Sequence, residues 1–380
     1  MSNAAVPVGA PLFSRGLWRI ASANASSGNR VQLLHDGPET FDAMIALIEG
    51  AEESVSLESY IYRDDEVGVR FAVALKGAAV RGVTVRVIMD GIGGRGAGRR
   101  YRRDLRDAGV ELRVFNRPGL RLWLGLLPRD HRKLLVVDDA AGITGGVGVG
   151  HEWTTGVRKH RRSRWRDTAL RVEGSAAVDM SEAFDRMWRR VTGERVKRAR
   201  HLRPTHRGAH LDPSTHEGAL VGIIEGEPLR MRAARALQMQ ALSAERSIWL
   251  ASAYFVPSWS ELEALLGAAR DGVDVRILVP GRNDHPWVTL LTRRYYRRLL
   301  TNGVRIWEWQ GEMMHAKTSV IDGSWVRVGS TDINFLSTAM NYELDAVVQD
   351  HGLAYEAQMM FLDDLRQSEE ITLRSKLVRR

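Results

Sequence analysis

No cysteine occurs in the chain. Disulfides, thiol nucleophiles and cysteine-bound metals are excluded with it. Lysine is scarce as well. Of the 55 basic residues, six are lysine (Lys76, Lys133, Lys159, Lys197, Lys317, Lys376), which leaves 49 arginines. Any position that keeps lysine in so arginine-rich a chain invites inspection. No uninterrupted apolar run approaches the roughly 18 residues of a membrane-spanning helix. The first residues, Met-Ser-Asn-Ala-Ala-Val, show no basic stretch followed by an apolar core, so no secretory signal is expected.

What remains is a chain of 380 residues with 44% hydrophobic content and a formal charge of +9. That length suits two domains, and a basic surface favours anionic partners: nucleic acid, anionic lipid or phosphate esters. Charge alone does not choose among them.

The sequence repeats itself. Residues 54–90 and 247–279 each read as a strand, a loop, an alanine-rich helix, a Gly-Val turn and a second strand. Residues 99–115 match 293–309 as a basic helix, a glycine stop and another strand. Alternating strands and helices predict an α/β fold with a largely parallel sheet. Two copies predict two such domains, at 31–195 and 220–380, after an N-terminal segment 1–30. The basic stretch 196–219 reads as a linker. Its histidines His201, His206, His210 and His216 fit no closed zinc spacing and read as solvated.

The chemistry is concentrated in an H-x-K-x-x-x-x-D segment that occurs twice, as His131/Lys133/Asp138 and His315/Lys317/Asp322. The offset of 184 residues holds again at Gly145 and Gly329. Alternation along a strand puts each histidine and its lysine on one face. Lysine suits a phosphoryl oxygen as a compact point charge. The small pairs Gly145-Gly146 and Gly329-Ser330 let backbone N–H groups approach a phosphate, or simply turn the chain.

This paired pattern resembles the phospholipase D superfamily, from about residue 31 to about 365. ESYIYRDDEVG near 58, RDHRK at 129–133, WRDTALRVEG at 165–174, YFVP at 254–257 and NYEL at 341–344 are similar to its cardiolipin synthase branch. The resemblance implies two αβα sandwich domains related by a pseudo-twofold, with the active site at their interface. It implies a phosphatidyl transferase making cardiolipin from phosphatidylglycerol through a phosphohistidine. His131 is assigned as nucleophile and His315 as general acid/base, a choice the pseudo-symmetry can reverse. Lys133 and Lys317 would stabilise the phosphoryl charge, so no cofactor or metal is expected. Asp167 and Glu343, downstream of the motifs, would orient the histidines. Asp138 and Asp322 belong to the motif but are expected to be mainly structural, tying the two halves together.

The chain departs from the family pattern at Gly148 and Asp332, where many members carry asparagine; Asn334 is expected to substitute as a phosphate-binding amide. The apolar segment 117–129, flanked by arginines, suits lipid entry or a lid packed on the core. Phe13–Ile20 and Arg158–Arg166 are weaker membrane candidates. The expected partners are phosphatidylglycerol and a membrane surface, approached peripherally from the cytoplasmic side. A phospholipase D hydrolase, a nuclease on the same scaffold and an inactive lipid binder are the alternatives. Nucleic acid is the less expected partner, because of the apolar insertion and the branch-like segments.

Overall fold

The repeat in the sequence is also a repeat in strand order. A computed structural model describes residues 12–116, 128–154, 164–194 and 215–378. In the first half lie β1 (Ala25–His35), β2 (Ser54–Ser59), β3 (Thr84–Asp90), β4 (Glu111–Phe115), β5 (Lys133–Val137), β6 (Ala141–Gly145), the short β7 (Trp165–Arg166) and β8 (Thr168–Glu173). In the second lie β9 (His216–Gly226), β10 (Ser247–Ala251), β11 (Asp274–Pro280), β12 (Arg305–Trp309), the short β13 (Met313–Met314), β14 (Thr318–Ile321), β15 (Trp325–Gly329), β16 (Glu343–Gln349) and β17 (Ser368–Ile371). Fifteen strands form one ladder, β17-β12-β11-β10-β14-β15-β16-β9-β1-β8-β6-β5-β2-β3-β4. Apart from β17, the order reads the same outward from the β9–β1 pair, which places a pseudo-twofold between those two antiparallel strands. The expectation of a largely parallel sheet is corrected: only β2–β3–β4 and β10–β11–β12 pair in parallel, and the other pairings of the ladder are antiparallel.

The helices alternate with the strands as the period change requires. They are α1 (Leu12–Ala21), α2 (Asp36–Glu49), α3 (Glu66–Val80), α4 (Arg99–Asp107), α5 (Ser175–Thr192), α6 (Arg232–Ser243), α7 (Trp259–Arg270), α8 (Pro286–Thr301) and α9 (His351–Arg366). Their starts are chemically marked. Asp65 accepts from the backbone of Val67 and Gly68 to cap α3, and Ser258 with Glu261 forms a capping box on α7. Such caps stabilise a helix by typically ~1 kcal/mol.

The ladder folds back on itself, so that β6 and β8 lie against β15 and β16. The alternate residues they turn inward, among them Leu170, Val172, Val328 and Ala346, form a core shared by both halves. Helices α5 and α9 complete it with Phe184, Met187, Leu353 and Ala357. The remaining helices cover the outer faces, α2 to α4 over one half and α6 to α8 over the other.

The ends of the halves differ slightly from expectation. Strand β1 starts at Ala25 and β9 at His216, a few residues before the expected boundaries at 31 and 220. In α1, Leu17 and Trp18 are buried, and Trp18 lies 5.9 Å from Trp325. Leu17 and Trp18 of the segment Phe13–Ile20 are thus turned into the protein, while Ile20 is exposed. Gly222 faces the Trp18 ring so closely that any Cβ there would collide with it. His216 pairs with Glu356 at 3.0 Å, while the other three linker histidines lie outside the described residues, as do 117–127 of the apolar insertion and 158–163 of the basic stretch.

Candidate active site

Each motif histidine sits just before a buried strand, His131 ahead of β5 and His315 ahead of β14. The halves meet here through backbone as well as side chains. The His131 N–H donates to Tyr342 O (2.9 Å), and the His315 N–H donates to Arg166 O (2.7 Å).

The carboxylates cross over. His131 Nδ1 lies 3.0 Å from Glu343 of the second half, and His315 Nδ1 lies 2.7 Å from Asp167 of the first. Each carboxylate fixes Nδ1 as the protonated nitrogen, leaving Nε2 for chemistry. Glu343 also accepts from the hydroxyls of Ser330 (2.5 Å) and Ser337 (2.6 Å). Asp167 also accepts from Trp153 Nε1 and the Thr168 N–H, both at 2.8 Å. Burial pushes the Asp167 carboxyl up, but the His315 charge and hydrogen bond and the Lys317 charge outweigh it, so Asp167 stays below the usual carboxylate range.

The lysines are held alike. Each donates to the carbonyl of its own histidine, and each lies over a tyrosine, Lys133 at 5.5 Å from the Tyr60 ring and Lys317 at 5.7 Å from the Tyr254 ring. Tyr60 also meets the His131 ring edge-on at 4.8 Å. These two tyrosines stand at the ends of β2 and β10, inside quoted segments, yet no role was assigned to them from sequence. The repeat register sets Tyr60 against Ala253 and Tyr254 against Ile61, so it does not pair them.

The two departures from the family pattern explain an asymmetry. Asp332 is buried with its carboxylate 3.4 Å from Lys317 Nζ, and it also accepts from the Ser252 hydroxyl and the Tyr254 N–H. The negative charge therefore meets the motif lysine rather than an arginine. The matching position in the first half is Gly148, where a Cβ would crowd Trp153 and Ile61. Lys133 has no carboxylate within ion-pair distance among the described residues. Burial lowers its ammonium to about 7, with Glu343 opposing and the Lys317 charge reinforcing. Burial also lowers the His315 pKa, and Lys317 lowers it further against the pull of Asp167.

Several expected phosphate contacts are corrected by this geometry. The Gly146 N–H donates to Thr168 O, the Gly329 N–H to Lys317 O and the Ser330 N–H to Leu344 O, so none is free for a ligand. Gly145 packs against the β8 backbone, Gly146 makes room for Asp167, and Gly329 makes room for Asp345. The Ser330 hydroxyl is committed to Glu343. Asn334 spends its amide on Tyr254 O and the Ser337 N–H, although it remains in the cavity wall.

Asp138 and Asp322 are also placed elsewhere. Asp138 accepts from the N–H groups of Glu52, Glu53 and Ser54, and Asp322 from those of Glu245, Arg246 and Ser247. Each ties the end of its motif strand, β5 or β14, to the start of β2 or β10 in the same half, and neither ties the halves together. Both sit at φ 53°, a left-handed conformation that aspartate tolerates. Asp138→Ala is expected to cost about 2–4 kcal/mol through three lost acceptor contacts and the αL strain. Turnover of the folded enzyme should stay within about twofold. Thermal unfolding and kcat below the transition measure the two separately.

A cavity of ≈ 390 Å³ opens onto His131, with Tyr60, Arg129, Tyr254, Asp332 and Glu343 among its polar wall. Its other side is apolar, from Val256, Trp287, Val288, Leu291, Phe335 and Leu336. Trp287, Phe335 and Leu336 are more than half exposed. His315 is deeper, 2% exposed, with Trp165 at 5.1 Å, Trp153 at 5.6 Å and Tyr254 at 6.2 Å. Two imidazoles with fixed tautomers, two ammoniums and an apolar approach can support in-line substitution at phosphorus.

Comparison with known proteins gives a consistent result. The family model described as "Cardiolipin synthase, PLD-like domain" matches residues 44–188 and 238–365. Cardiolipin synthase of Geobacillus kaustophilus (strain HTA426) is 33% identical over 356 residues, which are 93% of this chain and 70% of that protein. Cardiolipin synthase of Alkalihalophilus pseudofirmus is 32% identical over 362 residues, 95% of this chain and 71% of that protein. Among solved structures, phosphatidylserine synthase of Haemophilus influenzae Rd KW20 superposes with a TM-score of 0.71 at 12% identity, covering 95% of this chain and 92% of that one. At that identity the likeness speaks for the fold.

Proposed function

The chain belongs to the cardiolipin synthase family of phospholipase D-like enzymes, and we propose that it makes cardiolipin from phosphatidylglycerol by phosphatidyl transfer. The observation that carries this is the crossed pair of histidine–carboxylate units beside two lysines, at a cavity with one polar and one apolar wall.

His131 is the proposed nucleophile because it lines the cavity that a headgroup would enter. Its neutral Nε2 attacks phosphorus, the bond from phosphorus to the glycerol oxygen breaks, and His315 Nε2–H protonates the departing alkoxide. The product is a phosphohistidine and free glycerol. The hydroxyl of a second phosphatidylglycerol then gives its proton to His315 and attacks phosphorus, releasing His131. Splitting the exchange into two displacements lowers each barrier. In the empty site His315 favours its neutral form, because burial and Lys317 oppose the charge. An incoming phosphate anion offsets the lysines and lets His315 take up the proton that it delivers. Lys133 and Lys317 hold the non-bridging oxygens.

The apolar wall supports delivery from a bilayer. No helix among the described residues is long and apolar enough to cross a membrane. Exposed Trp287, Leu290, Phe335 and Leu336 gather on α8 and on the 335–336 stretch, by the cavity that reaches His131. Side chains of this kind partition into the headgroup–acyl boundary. The formal charge of +9 suits the anionic cytoplasmic leaflet. Peripheral attachment on that side is the corresponding placement.

The direct test is to incubate purified protein with phosphatidylglycerol vesicles and resolve the products by mass. Cardiolipin with glycerol is the expected result. Phosphatidic acid alone would replace this reading with hydrolysis. A pH profile gives a second expected outcome. Lys133 carries its ammonium below about 7 and loses it above. The kcat/KM value should therefore fall as pH rises through about 7, and Lys133→Arg, which cannot lose its charge, should remove that limb. A limb unchanged in Lys133→Arg would assign it to another group.

A further inference from the structure

A second cavity, of ≈ 460 Å³, is lined by Arg132, the residue between His131 and Lys133. Arg132, pointing away from His131 and Lys133, forms its inner wall. The C-terminal part of α5 contributes Arg186, Arg189 and Arg190, and the second half contributes Glu225 and Tyr342. The volume falls in the range of small-molecule sites.

The charges do not cancel. Glu225 is shared between Arg186 (2.7 Å) and Arg132 (3.3 Å). Glu227, also in the wall, is taken by Arg232 (3.2 Å) and Arg230 (3.5 Å). Arg189 and Arg190 meet no carboxylate among the described residues. Arg190 instead lies over the Tyr342 ring at 5.0 Å, with Arg132 at 5.9 Å. Arg132 is 2% exposed, and its Nε has no hydrogen-bond partner. Behind it, Glu58 and Asp130 are fully buried, with all four carboxyl oxygens unpartnered. Burial raises both carboxyls, the Arg132 charge pulls Glu58 back down, and an ionised Glu58 raises Asp130 further, so Glu58 answers Arg132 while the charges of Arg189 and Arg190 stay unanswered.

The pseudo-twofold supplies an internal control. Tyr342 corresponds to Arg166, since each precedes an orienting carboxylate and accepts a motif histidine N–H. Arg132 corresponds to Ala316, and Asp130 to Met314. There the place is filled. Arg166 makes a two-point contact with Asp364 (2.8 and 3.0 Å) and reaches Asp36 (3.3 Å). Met314 and Ala316 pack into an aromatic cluster with Trp307, Trp309 and Phe361. The common fold thus does not require an arginine-lined hollow, and one half has one.

We propose that this cavity is a second, non-catalytic anion site that binds a phosphate-bearing ligand between Arg132, Arg189 and Arg190. Guanidinium groups match phosphate oxygens in geometry and charge. The phosphate is either a lipid headgroup or a soluble phosphate. The site abuts the backbone bridge between Asp130 and Tyr342, whose neighbours are His131 and Glu343.

Binding is measurable without turnover. Inorganic phosphate is titrated calorimetrically into the intact chain, into Arg189→Ala/Arg190→Ala and into a charge-matched control, Arg99→Ala/Arg100→Ala on exposed α4. The expected result is one phosphate fewer, or binding at least tenfold weaker at one site, in the α5 variant alone. Equal titrations in all three proteins, or equal losses in both variants, would overturn the site. Flotation with phosphatidylglycerol or phosphatidylcholine vesicles then separates the sources. Loss of phosphatidylglycerol-dependent capture in the α5 variant identifies a headgroup. Retained capture with lost phosphate binding identifies a soluble ligand.

Discussion

His131→Ala is expected to lower kcat by at least about 10⁴-fold while the protein stays folded. The side chain is 13% exposed in a cavity wall, so its removal enlarges a site rather than opening a hole in the core. The informative comparison is with His315→Ala on a phosphatidyl ester whose alcohol needs no proton to leave. Such a substrate bypasses the acid. His315→Ala should then form the phosphohistidine and stall, because nothing deprotonates the second alcohol, whereas His131→Ala should trap no phosphate. Acid-labile label on the protein reads this directly. The reverse pattern would exchange the two roles, and appreciable turnover by His131→Ala would end the two-histidine mechanism.

The second large effect should come from the carboxylates, and it should be unequal. Asp167 accepts from His315 Nδ1, Trp153 Nε1 and the Thr168 N–H. All three are donors, and an indole N–H cannot act as an acceptor. Asp167→Asn sets an amide NH₂ against them and destabilises the working tautomer of His315. A loss of ~10³–10⁴-fold in kcat is the scale for such a change. Glu343 has a different company: His131 Nδ1 and the hydroxyls of Ser330 and Ser337. Hydroxyls can turn and accept. Glu343→Gln can therefore keep His131 oriented by reversing one serine, with a loss nearer ~10²-fold. Steady-state kcat for the two variants, with melting curves as a check on folding, makes the comparison. Equal losses would mean that the serines do not adapt.

Much of this was legible in the sequence because it is local. The motif spacing sets each histidine two residues from its lysine at the entry to a strand, and the repeat in register makes accident improbable. The doubled α/β architecture followed from the same repeat. What a repeat hides is exchange between its copies. Each motif has an acid downstream, but periodicity does not say that Asp167 serves His315 and Glu343 serves His131. Asp138 and Asp322 looked like bridges between halves because each ends its motif strand. Their left-handed backbone turns them instead toward the N–H groups ahead of β2 and β10. Gly145, Gly146, Gly329 and Ser330 looked like a phosphate cradle, and the requirement they meet is space and a hydroxyl for buried carboxylates. Asp332 read as a threat to an anionic substrate until its partner, Lys317, was in view.

The crossed carboxylates also bear on how such a chain can change over generations. Neither repeat holds a complete histidine–carboxylate pair, so one repeat by itself carries neither pair. Duplication usually frees one copy to decay. Here the exchange binds both copies to a shared fate, while positions outside the exchange stay free to diverge. Gly148 against Asp332, and Arg132 against Ala316, are the marks of that freedom.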